Sequence, residues 1–215
     1  EKYIEDSITY HAICRKYNLY KGDRRSIFQG VMFGLACLKL VRYRFDIMDV
    51  DHMPFFPLFS AKIACLIRRK PLYATWHEVW GLDYWREYLG ALAPIAYIIE
   101  RLSVMLPNHI IAVSNHTAKE LTDKLKYSGP ISVIPNGINT ARFTTIPAFS
   151  EKTDVVFTGR LLPNKNVNLL IDAMAILAKS NPALTCTVIG EGPEFERLQS
   201  QVRKLKLTKT VRIMG

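Results

Sequence analysis

Several common signatures are missing from this sequence. Its four cysteines lie far apart and form no Cys-x-x-Cys pair: Cys14, Cys37, Cys65 and Cys186. This spacing argues against a structural zinc site and a disulfide scaffold, and it favours a reducing, cytoplasmic setting. No apolar run reaches the roughly 18 residues that a membrane-spanning helix needs. The longest candidate, residues 30–41, is interrupted by Lys39.

Signatures of several enzyme classes are also absent. There is no GxxxxGK[ST] motif, which excludes the P-loop enzymes, and no GxSxG motif. The turn Gly190-Glu191-Gly192-Pro193 is not a GxGxxG fingerprint, because Phe195 stands where the third glycine belongs. His77-Glu78 does not open an HExxH motif, because Gly81 replaces the second histidine. A metalloprotease of that class is therefore excluded.

Acidic residues are scarce, with 19 Asp and Glu against 29 Lys and Arg, for a net charge of +10. Residues 15–70 hold twelve of the cations and only four acids. Such an excess favours nucleic acid, an anionic membrane or an acidic substrate as partner. Nucleic acid is disfavoured because no recognised binding motif is present. The apolar runs Ile27–Val41 and Phe55–Ile67 are either a peripheral membrane surface or core helices with cationic outer faces.

The hydrophobic pattern alternates between strands and helices and predicts an α/β protein with parallel sheets. Strands are predicted at 45–50, 71–76, 109–113, 131–134, 154–158, 184–189 and 211–214, and helices near 55–69, 91–105, 115–126, 167–179 and 194–206. The aromatic segment 79–90 is predicted to be a loop. The polar stretch 140–153 predicts a joint between two incomplete Rossmann-like domains, residues 1–143 and 144–215.

The most informative segment is DVVFTGRLLPNKN, residues 154–166. A short strand ends at Gly159, Arg160 and Lys165 follow in a loop, and a helix begins at once. Ligands of open α/β sheets bind at this edge, and a helix amino terminus attracts anions. Arg can bind a diphosphate through two parallel hydrogen bonds, and Lys adds a mobile charge. The alternative is that both side chains are ordinary solvated cations.

Three other features have a functional and a structural interpretation. His77 follows a predicted strand, where catalytic groups collect, but a lone histidine is often only packed. The aromatic residues beside it, Trp80 and Trp85 among them, either stack on a sugar or hold a long loop in place. The turn at Gly190 and Gly192 either approaches a ligand or simply reverses the chain.

Together these residues resemble the retaining glycosyltransferases of family 4, which have the GT-B fold. The resemblance runs from about Phe45 to Gly215 through six segments in order: FDIMDVDH, HEVWG, IIAVSNHTAKEL, VIPNGINTARF, VVFTGRLLPNKNVNLLIDAM and VIGEGPEFERL. It implies one domain for the acceptor and one for a nucleotide-sugar donor. The expected reaction transfers a hexosyl group from an NDP-sugar to a glycan or lipid-linked acceptor, with no metal and no other cofactor.

The resemblance also implies roles for individual residues. Catalytic roles fall to His77, near the transferred sugar, and to Arg160 and Lys165, which stabilise the leaving diphosphate. The donor side includes the same two cations and the turns at Asn136, Gly137, Gly190 and Gly192. The acceptor side includes Glu78, Trp80 and Trp85. We expect a cytoplasmic protein, peripheral on an anionic membrane through residues 15–70.

Two elements of the family are missing, the amino-terminal glycine-rich loop and the E-x7-E glutamate pair. Both would lie outside residues 1–215, so we expect a fragment lacking both ends. Two alternatives stay open. One is a non-catalytic nucleotide-binding or scaffold protein that has kept the fold. The other is a GT-B-fold sugar-nucleotide epimerase, which needs acid and base groups around the sugar.

Overall fold

The computed structural model describes residues 2–21, 24–144 and 152–215. The chain forms two compact units, Glu1–Ile138 and Asn139–Gly215. Each unit contains one parallel sheet, as the alternating pattern predicts. The segment predicted as the joint, residues 140–153, is described only at 140–144 and 152–153, and the rest of it lies outside the described residues.

The first residues form two short antiparallel hairpins. Their strands are β1 (Lys2–Glu5) with β2 (Ile8–His11), and β3 (Tyr20–Lys21) with β4 (Arg24–Arg25). The sequence analysis predicted no strand before residue 45. Strands β1 and β2 are exposed along their whole length, so they lack the alternation of buried side chains that reveals a strand. Their pairing is supported across the strands, where the rings of Tyr3 and Tyr10 stack 4.5 Å apart.

Helix α1 (Ile27–Ala36) packs against α2 (Phe56–Arg68), with a 3₁₀ turn, Cys37–Arg42, after α1. A Cβ atom at Gly34 would lie 2.5 Å from the Cβ of Phe56, so only glycine permits this contact. The Ser60 hydroxyl donates a 2.6 Å hydrogen bond to the Gly34 carbonyl. The apolar runs Ile27–Val41 and Phe55–Ile67 therefore form helices, and one side of each helix packs against the other helix.

The first sheet has four parallel strands in sequence order: β5 (Met48–Asp51), β6 (Leu72–Trp76), β7 (His109–Ala112) and β8 (Ile131–Val133). The connections contain α2, then α3 (Gly81–Leu89) and α4 (Ala93–Val104), then α5 (Asn115–Leu125). Ser114 caps α5 by accepting a hydrogen bond from the Thr117 amide. The core contains the inward side chains of β6 and β7, including Trp76 and Ile110.

Helix α3 lies in the segment predicted to be a loop. Buried or half-buried residues recur there at helical spacing, at Gly81, Trp85 and Leu89. Gly81 and Gly90 bound the helix, both at positive φ. In the sequence, two glycines nine residues apart among aromatic side chains are typical of a loop, so the helical period between them was not recognised.

The second unit begins with the short α6 (Ala141–Thr144) and continues as a three-stranded parallel sheet, ordered β11-β10-β9. Its elements are β9 (Val155–Thr158), α7 (Val167–Ser180), β10 (Cys186–Ile189), α8 (Phe195–Lys204) and β11 (Val211–Met214). Inward side chains of α7, such as Ile171 and Met174, pack with Val188 and Leu198 in one core. The predicted elements of this unit match these bounds closely.

Candidate active site

The carboxyl ends of the neighbouring strands β5 and β6 lie side by side. They bring Asp51 and His52 close to the residues at the end of β6. Asp51 lies opposite Thr75 in the parallel register, and the His52 amide donates a 3.0 Å hydrogen bond to the Thr75 carbonyl. His52 and His77 are therefore the first residues beyond two neighbouring strands. Ligands of open parallel sheets bind at this edge, and His77 lies where the sequence analysis places it.

His77 pairs with a carboxylate that the sequence analysis did not single out. Its Nε2 lies 3.1 Å from Asp51 Oδ1, with the two side chains 42% and 71% exposed. The carboxylate can accept a hydrogen bond from the imidazole and so fix its orientation. The sequence offered one signal for this carboxylate, an aspartate at the end of a strand. The structure shows that Asp51 is the last residue of β5 and pairs in register with Thr75, two residues before His77.

The buried side chain of His52 contacts the backbone of His77. It is 2% exposed, and its ring stacks on Trp76 with centroids 4.9 Å apart. The His77 amide donates to His52 Nδ1 at 3.4 Å, and Thr117 donates its hydroxyl to the His77 carbonyl at 3.3 Å. Burial, helped by the positive charge of His77, lowers the pKa of His52 to about 4. His52 is thus a neutral hydrogen-bond acceptor at neutral pH.

An aromatic surface follows His77, made by Trp80, Tyr84, Trp85 and Tyr88. The Trp80 ring lies 4.5 Å from the rings of both Tyr84 and Trp85. Trp85 is only 7% exposed, whereas Tyr84 is 41% exposed and Glu78 is also exposed. Trp85, predicted on the acceptor side, is therefore the buried member of this surface, whereas Trp80 is half-buried and Tyr84 is exposed.

A buried glutamate from α4 holds this segment. Glu100 is 0% exposed. Its Oε1 accepts the Trp80 amide at 2.9 Å, and its Oε2 accepts the Gly81 amide at 3.0 Å and the Trp85 Nε1–H at 2.7 Å. Burial raises the pKa of the Glu100 carboxyl, and these three donors oppose that rise. Glu100 lies far along the chain from His77, and the sequence analysis missed it.

In the second unit, Arg160 and Lys165 both lie in the exposed loop between β9 and α7. Lys165 ends a 3₁₀ turn, Pro163–Lys165, and α7 begins two residues later. No side chain caps the first turn of α7. The loop therefore presents two cations beside a helix amino terminus, an arrangement that favours a bound phosphate.

The turn at Gly190 and Gly192 packs against this same loop. The Leu161 amide donates to the Glu191 carbonyl at 2.8 Å, and the Glu194 amide donates to the Leu161 carbonyl at 3.1 Å. A Cβ atom at Gly190 would lie 1.9 Å from the Gly159 carbonyl oxygen, and one at Gly192 would lie 2.4 Å from that of Leu161. The structure thus brings both donor-side motifs of the second unit together.

The remaining predicted donor residues, Asn136 and Gly137, are exposed and follow β8 near the end of the first unit. A Cβ atom at Gly137 would meet nothing within 4 Å. In the second unit, a cavity of about 930 Å³ is lined by α8 and all three strands, on the β11 side of the sheet. Arg160, Lys165 and Gly190 do not line it, so this cavity is separate from the cationic loop.

The basic region of the first unit also exposes apolar side chains. On α2, Ile63, Leu66 and Ile67 are 45%, 65% and 60% exposed, with Lys62 and Arg69 beside them in the sequence. None of the helices in the described part of the chain is both long and apolar enough to cross a bilayer. Within the same residues, no three His, Cys, Asp or Glu side chains lie close enough to share a metal ion.

Similar solved structures have the same fold. A mutant of S. aureus TarM, in complex with Fondaparinux, alpha-GlcNAc-glycerol and UDP, superposes with a TM-score of 0.60 at 15% identity, over 84% of this chain and 36% of that one. The catalytic domain of Starch Synthase IV from Arabidopsis thaliana, bound to ADP and acarbose, gives 0.54 at 15% identity, over 86% and 51%. These neighbours confirm the predicted GT-B-like fold.

Curated relatives match parts of the chain. Glycogen synthase of Mycobacterium tuberculosis is 30% identical over 132 residues, 59% of this chain and 31% of the relative. The phosphatidylinositol N-acetylglucosaminyltransferase gpi3 subunit of Schizosaccharomyces pombe is 31% identical over 112 residues, 50% of this chain and 24% of the relative. The chain thus spans about a third or less of these proteins.

Two family models cover the chain almost from end to end. The model for Glycosyl transferases group 1 matches residues 140–215. The model for Glycosyltransferase Family 4 matches residues 7–142, which is more than half of the sequence. The predicted resemblance is therefore confirmed, and the chain belongs to glycosyltransferase family 4.

Proposed function

We propose that the full-length protein containing this chain transfers a hexosyl group from an NDP-sugar to a glycan or lipid-linked acceptor, with retention of configuration. The observation that carries this proposal is the loop of Arg160 and Lys165 at the carboxyl end of β9, beside the amino terminus of α7. Its chemistry suits a diphosphate, the group that leaves when an NDP-sugar donates its sugar.

The two cations would act electrostatically. Cleavage of the bond between sugar and diphosphate places developing negative charge on the leaving oxygen. Fixed positive groups stabilise this charge without any reorganisation during the reaction. Arg160 and Lys165 supply such groups, and we propose that they replace a divalent metal in this role. The packing of the Gly190 and Gly192 turn against their loop would keep the cations in place.

His77 and Asp51 would act at the sugar. The exposed imidazole, oriented by the carboxylate 3.1 Å away, can donate a hydrogen bond to a sugar hydroxyl. Half-buried Trp80 and exposed Tyr84 offer ring surface on which an apolar face of a pyranose can stack. The names of the relatives include both a glycogen synthase and a phosphatidylinositol N-acetylglucosaminyltransferase subunit, so both acceptor classes stay within the proposal.

The test is a donor and acceptor screen on the full-length protein. UDP-, ADP- and GDP-sugars are offered with glucan oligosaccharides or with phosphatidylinositol, and NDP release and product anomer are followed by NMR. We expect transfer with retained configuration that persists in EDTA. NDP binding with no turnover would identify the non-catalytic alternative. Isomerised donor in the absence of acceptor would identify the epimerase.

We further propose that the protein acts at the cytoplasmic face of an anionic membrane. Leu66 and Ile67 can enter the lipid headgroup region while neighbouring cations such as Lys62 and Arg69 bind anionic headgroups. Helix α4, which packs against α2, adds the exposed side chain of Leu102, and the residue that follows the helix adds that of Met105. Such binding would hold the enzyme close to a lipid-linked acceptor.

A further inference from the structure

Glu100 differs from the other acidic side chains of the described residues in its burial. It is 0% exposed in the core of the first unit, and its carboxylate is held by hydrogen bonds at close range, while the positive charge of Lys124 acts on it from farther away. Removing a carboxylate from water costs several kcal/mol unless hydrogen bonds compensate. A core position that served packing alone would be filled more favourably by an apolar side chain of similar size.

The compensating donors all belong to one short segment. They are the amides of Trp80 and Gly81 and the indole N–H of Trp85. The two amides open α3, whose first turn has no capping side chain of its own. Glu100 therefore caps α3 from a neighbouring helix, with its charge at the positive end of the α3 dipole.

This cap fixes the orientation of the aromatic surface. The hydrogen bond from Trp85 Nε1 fixes the plane of the Trp85 indole, and the Trp80 ring packs 4.5 Å above it. The Trp80 amide is held at the same time, three residues after His77. One carboxylate thus determines both the direction of the segment and the position of the ring that it presents.

We propose that Glu100 is a positioning residue for the acceptor: its carboxylate fixes Trp80, Gly81 and Trp85 so that the accessible ring surface of half-buried Trp80 and exposed Tyr84 matches a pyranose of the acceptor. The inference rests on the proposed transferase function. It adds that recognition of the acceptor depends on a buried charge that does not touch the sugar.

The test uses Glu100→Gln in the full-length protein, with Glu87→Gln as the matched control. The control removes the same charge from an exposed position on α3. An amide places an N–H₂ group against N–H donors, so Glu100→Gln loses at least one of the three bonds while keeping its shape. We expect the acceptor KM to rise about tenfold while the donor KM changes less than about twofold.

A second variant guards against misfolding of the first. Trp85→Phe removes the bond from Nε1 to Glu100 together with part of a buried indole, keeps an aromatic ring and leaves both amide bonds to Glu100, so we expect a smaller rise in acceptor KM. Equal rises in donor and acceptor KM for Glu100→Gln would reduce its role to fold support and overturn the proposal. An unchanged acceptor KM in both variants would also overturn it.

A separate readout does not depend on catalysis. All three tryptophans, Trp76, Trp80 and Trp85, belong to this region. We therefore expect acrylamide to quench tryptophan fluorescence more strongly in Glu100→Gln than in wild type or Glu87→Gln. If wild type transfers no sugar, the proposed function fails while this measurement still tests the positioning of the rings. Equal quenching in all three proteins would show that Glu100 does not position them.

Discussion

The imidazole of His77 and the carboxylate of Asp51 lie 3.1 Å apart at the carboxyl ends of two neighbouring parallel strands. Neither residue could reach the other along the chain, since 25 residues separate them. The parallel register of β5 and β6 brings them together. His77 is further held through its backbone, which binds His52 and Thr117. The imidazole is thus oriented by Asp51 and its backbone is held by His52 and Thr117, while the side chain stays exposed.

Loss of the Asp51 charge should reduce transfer more than stability. We expect Asp51→Asn to lower kcat about tenfold, because the imidazole loses the carboxylate that orients it. The pair is largely exposed, so the melting temperature should stay within about 2 °C of wild type. Steady-state kinetics and thermal melts of the full-length protein measure both quantities.

Asp49→Asn is the matched control for this prediction. Asp49 lies two residues earlier on β5, and its carboxylate accepts a hydrogen bond from the Thr75 hydroxyl at 3.1 Å rather than from His77. We expect wild-type kcat for this variant. If the two substitutions lower kcat equally, the partnership of Asp51 with His77 has no part in the reaction.

Removal of either cation from the β9–α7 loop should abolish most of the turnover. Arg160→Ala and Lys165→Ala should each lower kcat by about a hundredfold or more, since each removes fixed charge from the leaving diphosphate. Both residues are exposed, so circular dichroism should report an unchanged fold. Lys179→Ala, at the exposed last turn of α7, removes the same charge and should leave kcat unchanged. Wild-type turnover in both loop variants would refute the roles proposed for them.

The fold was predictable where burial imposes a period on the sequence. Strand β11 and the helices α2 and α7 lie within one residue of their predicted positions. The hairpin of β1 and β2 was not predicted, because exposed strands carry no such period. Helix α3 was missed because Gly81 and Gly90 indicate a loop in sequence, whereas Glu100 caps the helix from a distant position.

The candidate site was predictable only as far as local motifs reach. Arg160 and Lys165 are identified by the strand before them and the helix after them, and His77 by the end of a strand. Asp51 and Glu100 act through pairings across the fold, which no local spacing encodes. A single sequence therefore shows the residues that begin or end elements better than the residues that support them.

A side chain at Gly190 should destabilise the second unit. Its φ is +150°, and a Cβ atom there would lie 1.9 Å from the Gly159 carbonyl oxygen. We expect Gly190→Ala to cost on the order of 3 kcal/mol through strain and the forced separation of the two loops. The tryptophans all lie in the first unit, so hydrogen exchange of β9 and β10 followed by mass spectrometry is the suitable measurement.

Gly137→Ala provides the steric control, since a Cβ atom there would meet nothing within 4 Å. We expect exchange in this variant to match wild type. In Gly190→Ala, the amides of β9 and β10 should exchange faster while those of β6 and β7 stay protected. Unaltered exchange in β9 and β10 would mean that the loops tolerate the added atom.

His52 should make the first unit less stable in acid. Its pKa is about 4 in the folded protein and about 6.5 in an unfolded chain. Between these values the unfolded chain binds more protons, so the free energy of unfolding falls as pH falls. The contribution of His52 to the free energy of unfolding is fully present above about pH 6.5, and roughly 3 kcal/mol of it is lost by pH 4. Urea unfolding followed by tryptophan fluorescence measures it at each pH.

His52→Phe keeps a stacked ring but cannot titrate, so its unfolding free energy should depend less steeply on pH than that of wild type. His116→Gln, at a histidine that is 79% exposed, is the control for loss of an imidazole outside the core. Only differences in slope are compared, so a constant loss of stability in either variant does not matter. Parallel curves for wild type and His52→Phe would assign the acid sensitivity to other groups.

Vesicle binding tests the proposed membrane surface on α2. We expect full-length protein to sediment with vesicles that contain phosphatidylglycerol, to bind phosphatidylcholine vesicles weakly, and to dissociate as salt rises. Leu66→Glu with Ile67→Glu places two charges where apolar side chains would enter the headgroup region, and should abolish sedimentation. Ile176→Glu, at an equally exposed isoleucine of the second unit, should bind as wild type does. Sedimentation of the double variant at the wild-type level would remove α2 from the membrane contact.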